Sequence, residues 1–279
     1  MIMKLKIVLV LLSVAAIVSC QNPPSYQVYA VKFYGAHRIS APQMVVGANP
    51  SDSLTLCYML WYLKGADGRN ILVDAGMTDT AMTGNNDFVR PDLVLQRINV
   101  HPSDITDVII THPHNDHIGG ISLFPDATVW MQKDDFEYFV GGAWQENGFA
   151  RGFQKNDVRN LIEINLAGRL KLVDGDNIEI IPGIKVFTGS KHTYENQYLL
   201  VNSNSAKDRI LVASDAVWFY YNLDNLLPAT LCMDPVAYVD AMRRMKTLVT
   251  DQDLIIPGHD DLVFSKYPEV AEWIVRISK

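Results

Sequence analysis

The sequence predicts an α/β (α+β) fold in which two mixed β-sheets lie face to face between helical layers, an αββα sandwich. Three observations carry this expectation. Short apolar runs rich in Val, Ile, Leu and Tyr recur along the chain, and amphipathic helical stretches fall between them. The same rhythm, strands closed by helices, appears in both halves. With 279 residues, 48% of them hydrophobic, the chain can cover both faces of two sheets.

Taken in order, Gln27–Phe33, Thr55–Leu63 and Asn70–Val73 read as strands, with Lys64-Gly65-Ala66-Asp67-Gly68 as the turn between the second and third. Tyr34 to Ser53, containing prolines and small turn residues, is expected as a long loop, with Met44, Val45 and Val46 as a candidate pocket wall. Pro91–Val100 fits a short helix through Leu93, Leu95 and Ile98. Asp107-Val108-Ile109-Ile110 is a buried-type strand, Ala127–Met131 another, and Asp134–Val140 a helix. Residues 141–160 are expected as loop or irregular helix.

In the second half, strands are expected at Leu170–Val173, Ile178–Ile181, Ile184–Phe187, Tyr198–Val201 and Ile210–Ala213. Pro235–Val249 should be a helix, with Pro235 in its first turn and Val236, Val239, Met242 and Met245 as its apolar stripe. The strand Leu254–Ile256 leads into Pro257-Gly258-His259-Asp260. Pro268–Ile277 is expected to close the chain as a helix, with Val270, Trp273, Ile274 and Ile277 inward.

The N-terminus reads as an address. Lys4 and Lys6 precede Ile7–Val18, an apolar run broken only by Ser13 and too short to span a bilayer comfortably. Ile17-Val18-Ser19-Cys20 resembles the lipobox of bacterial lipoproteins, where cleavage before the cysteine is followed by lipid attachment to its thiol. The expected organisation is a signal peptide over 1–19, a tether over 20–26 lipidated at Cys20, and a single domain over 27–279. Such a protein is exported and held on a bacterial membrane, on the outer-membrane or periplasmic side. Cys57 and Cys232 are then expected as two buried thiols. A net charge of −7 without a long basic stretch argues against nucleic acid as a partner.

Chemistry concentrates in Thr111-His112-Pro113-His114-Asn115-Asp116-His117, directly after an apolar strand. His112 and His114 are two apart and project the same way from extended backbone, while Asp116 and His117 follow at a turn. Gly119-Gly120 permits close backbone packing. Imidazole and carboxylate are ligands that divalent metals such as Zn²⁺ prefer, and this density exceeds what one metal ordinarily needs. A satisfied polar loop would explain one histidine. It does not explain this cluster together with Gly189-Ser190-Lys191-His192, Ser214-Asp215 and Gly258-His259, each at a predicted strand end. His37 and His101 take the blander reading of solvent-facing and turn residues.

Taken with Leu72-Val73-Asp74-Ala75-Gly76, this order of motifs resembles the metallo-β-lactamase superfamily over about residues 27–265. The resemblance implies that His112, His114 and His192 hold one metal and Asp116, His117 and His259 a second. Asp215 would bridge them, and Asp74 would orient ligands from behind. It also implies a hydrolase using two divalent metal ions, most simply Zn²⁺, whose shared water attacks a carbonyl or phosphoryl centre as hydroxide. Asp116 would shuttle the proton, and an aromatic hydroxyl would help stabilise the oxyanion.

Within the superfamily the chain is most similar to the N-acyl-homoserine lactonases, which implies a small-molecule lactone as substrate. In that family a tyrosine three residues after the bridging Asp contacts substrate. Trp218 stands there, leaving Tyr220 and Tyr221 as candidate replacements. Thr78 to Arg90 looks shorter than the family's acyl-channel insertion, with Met82 and Phe88 as its large apolar residues. Another ester, a thioester or a β-lactam remains the alternative substrate. A surface lipoprotein that binds metal without turnover is the reading from a different class.

Overall fold

The computed structural model describes residues 24–78, 87–203 and 209–278. Its strands are β1 (Tyr26–Ser40), β2 (Ser53–Gly65), β3 (Asn70–Val73), β4 (Asp107–Ile109), β5 (Thr128–Gln132) and β6 (Leu170–Val173). There follow β7 (Ile178–Ile181), β8 (Ile184–Phe187), β9 (Tyr198–Asn202), β10 (Arg209–Ser214) and β11 (Ile255–Pro257), then β12 (Glu269–Ala271) and β13 (Ile274–Arg276). One sheet runs β12-β13-β1-β2-β3-β4-β5-β6, the other β11-β10-β9-β8-β7. Both are mixed: β3 through β6 pair in parallel, as do β10 and β11, and the remaining pairs are antiparallel.

Period-two alternation along β2 sorts the layers. Cys57, Met59, Trp61 and Leu63 point into the core between the sheets, where they meet residues such as Val186, Leu199 and Val212. Leu60 and Tyr62 face the other way, into a core closed by the helices Pro91–Leu95, Lys133–Val140 and Lys155–Leu166. The helix Pro235–Leu248 covers the outer face of the second sheet. Each fully buried aliphatic or aromatic side chain contributes about 1.5–3 kcal/mol, so three apolar layers hold the sandwich. Among the described residues no helix is long and apolar enough to cross a membrane.

Five expectations need correction. Tyr34 to Ser53 is not a long loop. β1 continues to Ser40, paired with β2 down to Ser53, because register shifts between Lys32 and His37 let the ladder bend and resume. Residues 141–160 are more regular than expected, since a helix starts at Lys155 and runs to Leu166. Its buried side comprises only Asp157, Leu161 and Ile164, too thin a stripe to stand out by period.

The chain closes not with a helix but with a hairpin, β12 and β13, turning through Trp273 at φ 68°. The open edge of β1 supplied a partner that local periodicity could not anticipate: Tyr29 pairs with Arg276 and Val31 with Ile274. Finally, the helix Pro235–Leu248 buries Tyr238, Ala241, Met242 and Met245, while Val236 is 70% exposed. Tyr238 rather than Val236 leads the stripe. Cys57 is buried, but Cys232 is only half-buried, and both are free thiols. Cys20 and Met82 lie outside the described residues.

Candidate metal centre

The histidine and aspartate motifs meet where parallel strands end, a common place for sites in open α/β sheets. Asp74 follows β3, His112 follows β4, Asp215 follows β10 and His259 follows β11. A one-turn helix, Asn115–Ile118, carries Asp116 and His117. Gly120 allows that turn to pack on the β3 end: a Cβ there would lie 2.1 Å from the Ala75 carbonyl oxygen. His192 enters from the loop after β8, held by its backbone N–H donating to Asn196 Oδ1 at 3.0 Å.

Two groups of donors result. His112, His114, His192 and Asp215 present ligand atoms within 4.8 Å of one another, and so do Asp116, His117 and His259. Asp215 lies between the groups. Its Oδ1 is 3.3 Å from His117 Nε2 and 3.1 Å from His259 Nε2, and its Oδ2 is 3.2 Å from His192 Nε2.

The outer nitrogens fix which lone pairs point inward. His192 Nδ1 meets the Leu231 carbonyl at 2.7 Å and His259 Nδ1 meets that of Cys57 at 3.0 Å. A carbonyl can only accept, so each Nδ1 carries a proton and each Nε2 is the nitrogen turned toward the other donors. His117 Nδ1 donates to Asp74 Oδ2 at 2.8 Å, which turns its Nε2 toward Asp116 and Asp215. His112 Nδ1 lies 3.0 Å from Thr111 Oγ1, whose own proton goes to Asp74. His114 alone turns Nδ1 inward, 3.0 Å from both His112 Nε2 and His192 Nε2.

This arrangement fits divalent cations. His112 Nε2 and His192 Nε2 each lie 3.0 Å from His114 Nδ1, so three imidazole nitrogens converge with Asp215 on one point. Among the described residues, His117 Nε2 and Asp215 Oδ1 are buried and have no hydrogen-bond partner. Buried polar atoms are rarely left so in a folded protein.

A model of the Metallo-beta-lactamase superfamily matches residues 52–259. The chain belongs to this superfamily. Among relatives, an N-acyl homoserine lactonase from Bacillus sp. is 24% identical over 227 residues, covering 76% of this chain and 84% of that one. A solved structure of a quorum-quenching N-acyl homoserine lactone hydrolase superposes with a TM-score of 0.68 at 22% identity, over 88% of this chain and 97% of that one. AidC, described as a dizinc quorum-quenching lactonase, superposes at 0.63 and 14% identity, over 85% and 90%. The αββα sandwich is therefore the metallo-β-lactamase fold, and the chain is a metal-dependent hydrolase.

Electrostatics differ between the two ligand groups of this metallo-β-lactamase centre. Burial, with His192 beside it, holds His114 down at about 3, and burial also takes His112 well below its usual value. These imidazoles are neutral, as ligands must be. At His117, burial opposes the charge but Asp116, Asp215 and Asp74 outweigh it and raise the pKa. Burial likewise works against the Asp116 carboxylate, yet His117 and His259 hold it down at about 2.

Asp74 anchors the back of the site. It takes the left-handed conformation (φ 65°), a strained choice for a non-glycine residue, and is fully buried. Besides His117, it accepts from the Thr111 N–H at 2.7 Å and from Ser214 Oγ at 3.0 Å. Sequence reasoning did not single out Thr111 or Ser214. Only their places beside His112 and Asp215 hinted at these roles.

Four of the seven donor residues, His114, Asp116, Asp215 and His259, line the floor of a cavity of about 340 Å³ whose apolar wall includes Met44, Leu56, Met77 and Leu231. Val45 is buried away from it and Val46 is half exposed. Trp218 lines it too, between His192 and His259, at ring-centroid distances of 5.6 and 6.0 Å.

Tyr220 and Tyr221 do not reach the cavity. The helix Tyr220–Asn225 starts directly after Phe219 and turns both away. Tyr220 packs beneath Lys266 Nζ, 4.5 Å from the ring centroid, beside a separate depression containing Asp253. The Tyr221 hydroxyl donates to Asp52 Oδ2 at 3.0 Å. The tyrosines that do line the cavity are Tyr34 and Tyr58, from β1 and β2. His37 packs on Tyr34 at 4.8 Å, and His101 is exposed.

Proposed function

We propose that this protein opens the ring of a lactone of the N-acyl-homoserine class, using two divalent cations, most simply Zn²⁺, held by the seven-residue donor set. The observation that carries this reading is the shared carboxylate. Asp215 faces both ligand groups at the floor of a cavity whose volume suits a small organic molecule, where ~300–1,000 Å³ is usual. The lactonase relatives support the substrate class.

Bound cations would polarise the ester carbonyl and lower the pKa of water, so that a nucleophile exists near neutral pH. The chain supplies the rest. Asp116, 21% exposed at the cavity floor and held ionised by His117 and His259, can take the proton of the attacking water. It then returns that proton to the alkoxide released when the ring C–O bond breaks. Met44, Leu56, Met77 and Leu231 offer an acyl chain an apolar wall. Trp218, Asp74 and the backbone carbonyls of Cys57 and Leu231 keep the ligands in place. We place the protein outside the cytoplasm, tethered through Cys20. Cys20→Ser should release it from membranes, and unchanged membrane association would remove that part of the reading.

The test is a substrate panel on metal-loaded protein: N-acyl-homoserine lactones of short and long chain, aryl esters, thioesters and β-lactams. Lactone turnover that chelation abolishes supports the proposal. Turnover of β-lactams or thioesters without lactones would replace it.

A further inference from the structure

The structure assigns Tyr58, on β2, as the phenol that donates a hydrogen bond to the carbonyl oxygen of the bound ester. This rests on the ester chemistry proposed above and names the residue that serves it. The aromatic groups around the cavity differ in where their polar atoms go. Trp218 spends its only side-chain donor on Asp215 Oδ2 at 2.6 Å, and as an indole it can accept nothing. Tyr238 is buried behind Trp218, and its oxygen accepts the backbone N–H of Trp218 at 3.1 Å. Tyr220 and Tyr221 face elsewhere.

Tyr58 lines the cavity, and its hydroxyl donates to no group among the described residues. Its ring stands edge-on to His259, 5.1 Å between centroids, and packs on Tyr34 at 5.3 Å. These contacts fix the side chain beside the second ligand group. The phenol is close enough to Asp116 and Asp215 for both carboxylates to act on it. A phenol hydroxyl that lines the cavity and is not spent on a neighbour is free to donate to a bound carbonyl. Aimed from the β2 side, it would meet the carbonyl oxygen as negative charge builds on it, where a preorganised donor is worth most.

Tyr58→Phe keeps the ring against His259 and Tyr34 and removes only the hydroxyl. In the metal-loaded protein, kcat for the best ester of the panel should fall about 10- to 100-fold. KM should change less than twofold, and metal content and melting temperature should not change. A binding measurement needs no turnover: N-hexanoyl-homoserine, the ring-opened product, presents a carboxylate where the oxyanion would form. Its affinity, by calorimetry, should drop about fivefold or more in Tyr58→Phe. If kcat and product affinity both stay within twofold of the parent, the assignment is wrong. A parent that hydrolyses another ester but no lactone overturns the substrate proposal, and Tyr58 is then judged on that ester. A parent that neither hydrolyses any ester nor binds the product overturns both.

Discussion

The indole Nε1 of Trp218 donates to Asp215 Oδ2 across 2.6 Å, so the carboxylate shared by the two ligand groups is also tethered to an aromatic side chain. Asp215 Oδ1 is thereby left to face His117 and His259 without a hydrogen-bond partner. The tether matters because it fixes the direction of a carboxylate that faces both donor groups, and partners behind a ligand tune its affinity for metal.

Trp218→Phe removes this hydrogen bond while leaving an aromatic ring between His192 and His259. Metal affinity, read by competition with a chelator, should fall about 10- to 100-fold, as is usual when a group behind the ligands is lost. Affinity within twofold of the parent would show that the indole only fills space.

Gly152 is held against His114, the ligand candidate that turns Nδ1 rather than Nε2 toward the other donors. It has φ +82°, and a Cβ on it would lie 2.6 Å from His114 Cδ2 and 3.0 Å from His114 Nε2. Its carbonyl also accepts the Asn115 N–H at 3.0 Å. Gly152→Ala should therefore push the His114 ring out of place, and elemental analysis should show about one metal per chain lost. Gly168→Ala is the control, because Gly168 has a similar φ of +73° but nothing within 4 Å of its Cβ position. Equal metal content in both variants would refute the steric argument.

How much of this was legible beforehand follows from the range of the interactions. His112, His114, Asp116 and His117 fall within one turn of chain, and His192, Asp215 and His259 each stand at a strand end, so period and spacing were enough to find them. Asp74 was legible for the same reason. Tyr58 was not: on β2 it looks like any aromatic in an alternating strand, and only the bend of β1 opens a cavity beside it. The C-terminal hairpin was hidden because its partner is the edge of β1, more than two hundred residues away. Tyr220 and Tyr221 were misplaced because the helix start after Phe219 decides their direction.

Asp135 gives the His192 loop a pH-dependent hold. Buried at 1% exposure, it accepts from Thr193 Oγ1 at 2.8 Å and from the Glu195 N–H at 3.2 Å. Burial, reinforced by the Glu195 charge, raises its pKa to about 7. The folded state therefore binds this proton more tightly than the unfolded chain, where an aspartate titrates near ~3.9. Its contribution to stability is fully present below about pH 4 and is lost as pH rises through about 7, up to an order-of-magnitude limit of about 4 kcal/mol. Asp135→Asn, which cannot ionise, should gain in melting temperature relative to the parent between pH 5 and 8. A difference that stays constant over that range would show that the carboxyl does not titrate there.

Removing bound cations should cost stability as well as activity, because only the folded chain brings the donor set together. His114 Nδ1 lies 3.0 Å from both His112 Nε2 and His192 Nε2, whose outer nitrogens meet Thr111 and the Leu231 carbonyl. A ligand present at a thousand times its dissociation constant stabilises the folded state by about 4 kcal/mol. For a chain of this length that corresponds to roughly 8–16 °C in melting temperature. Dialysis against a chelator should produce a drop of that order, and Zn²⁺ should restore the parent value. Mg²⁺ should not, since it demands oxygen ligands and this set is mostly imidazole nitrogen. Full recovery with Mg²⁺ would mean that the carboxylates, rather than the histidines, dominate binding.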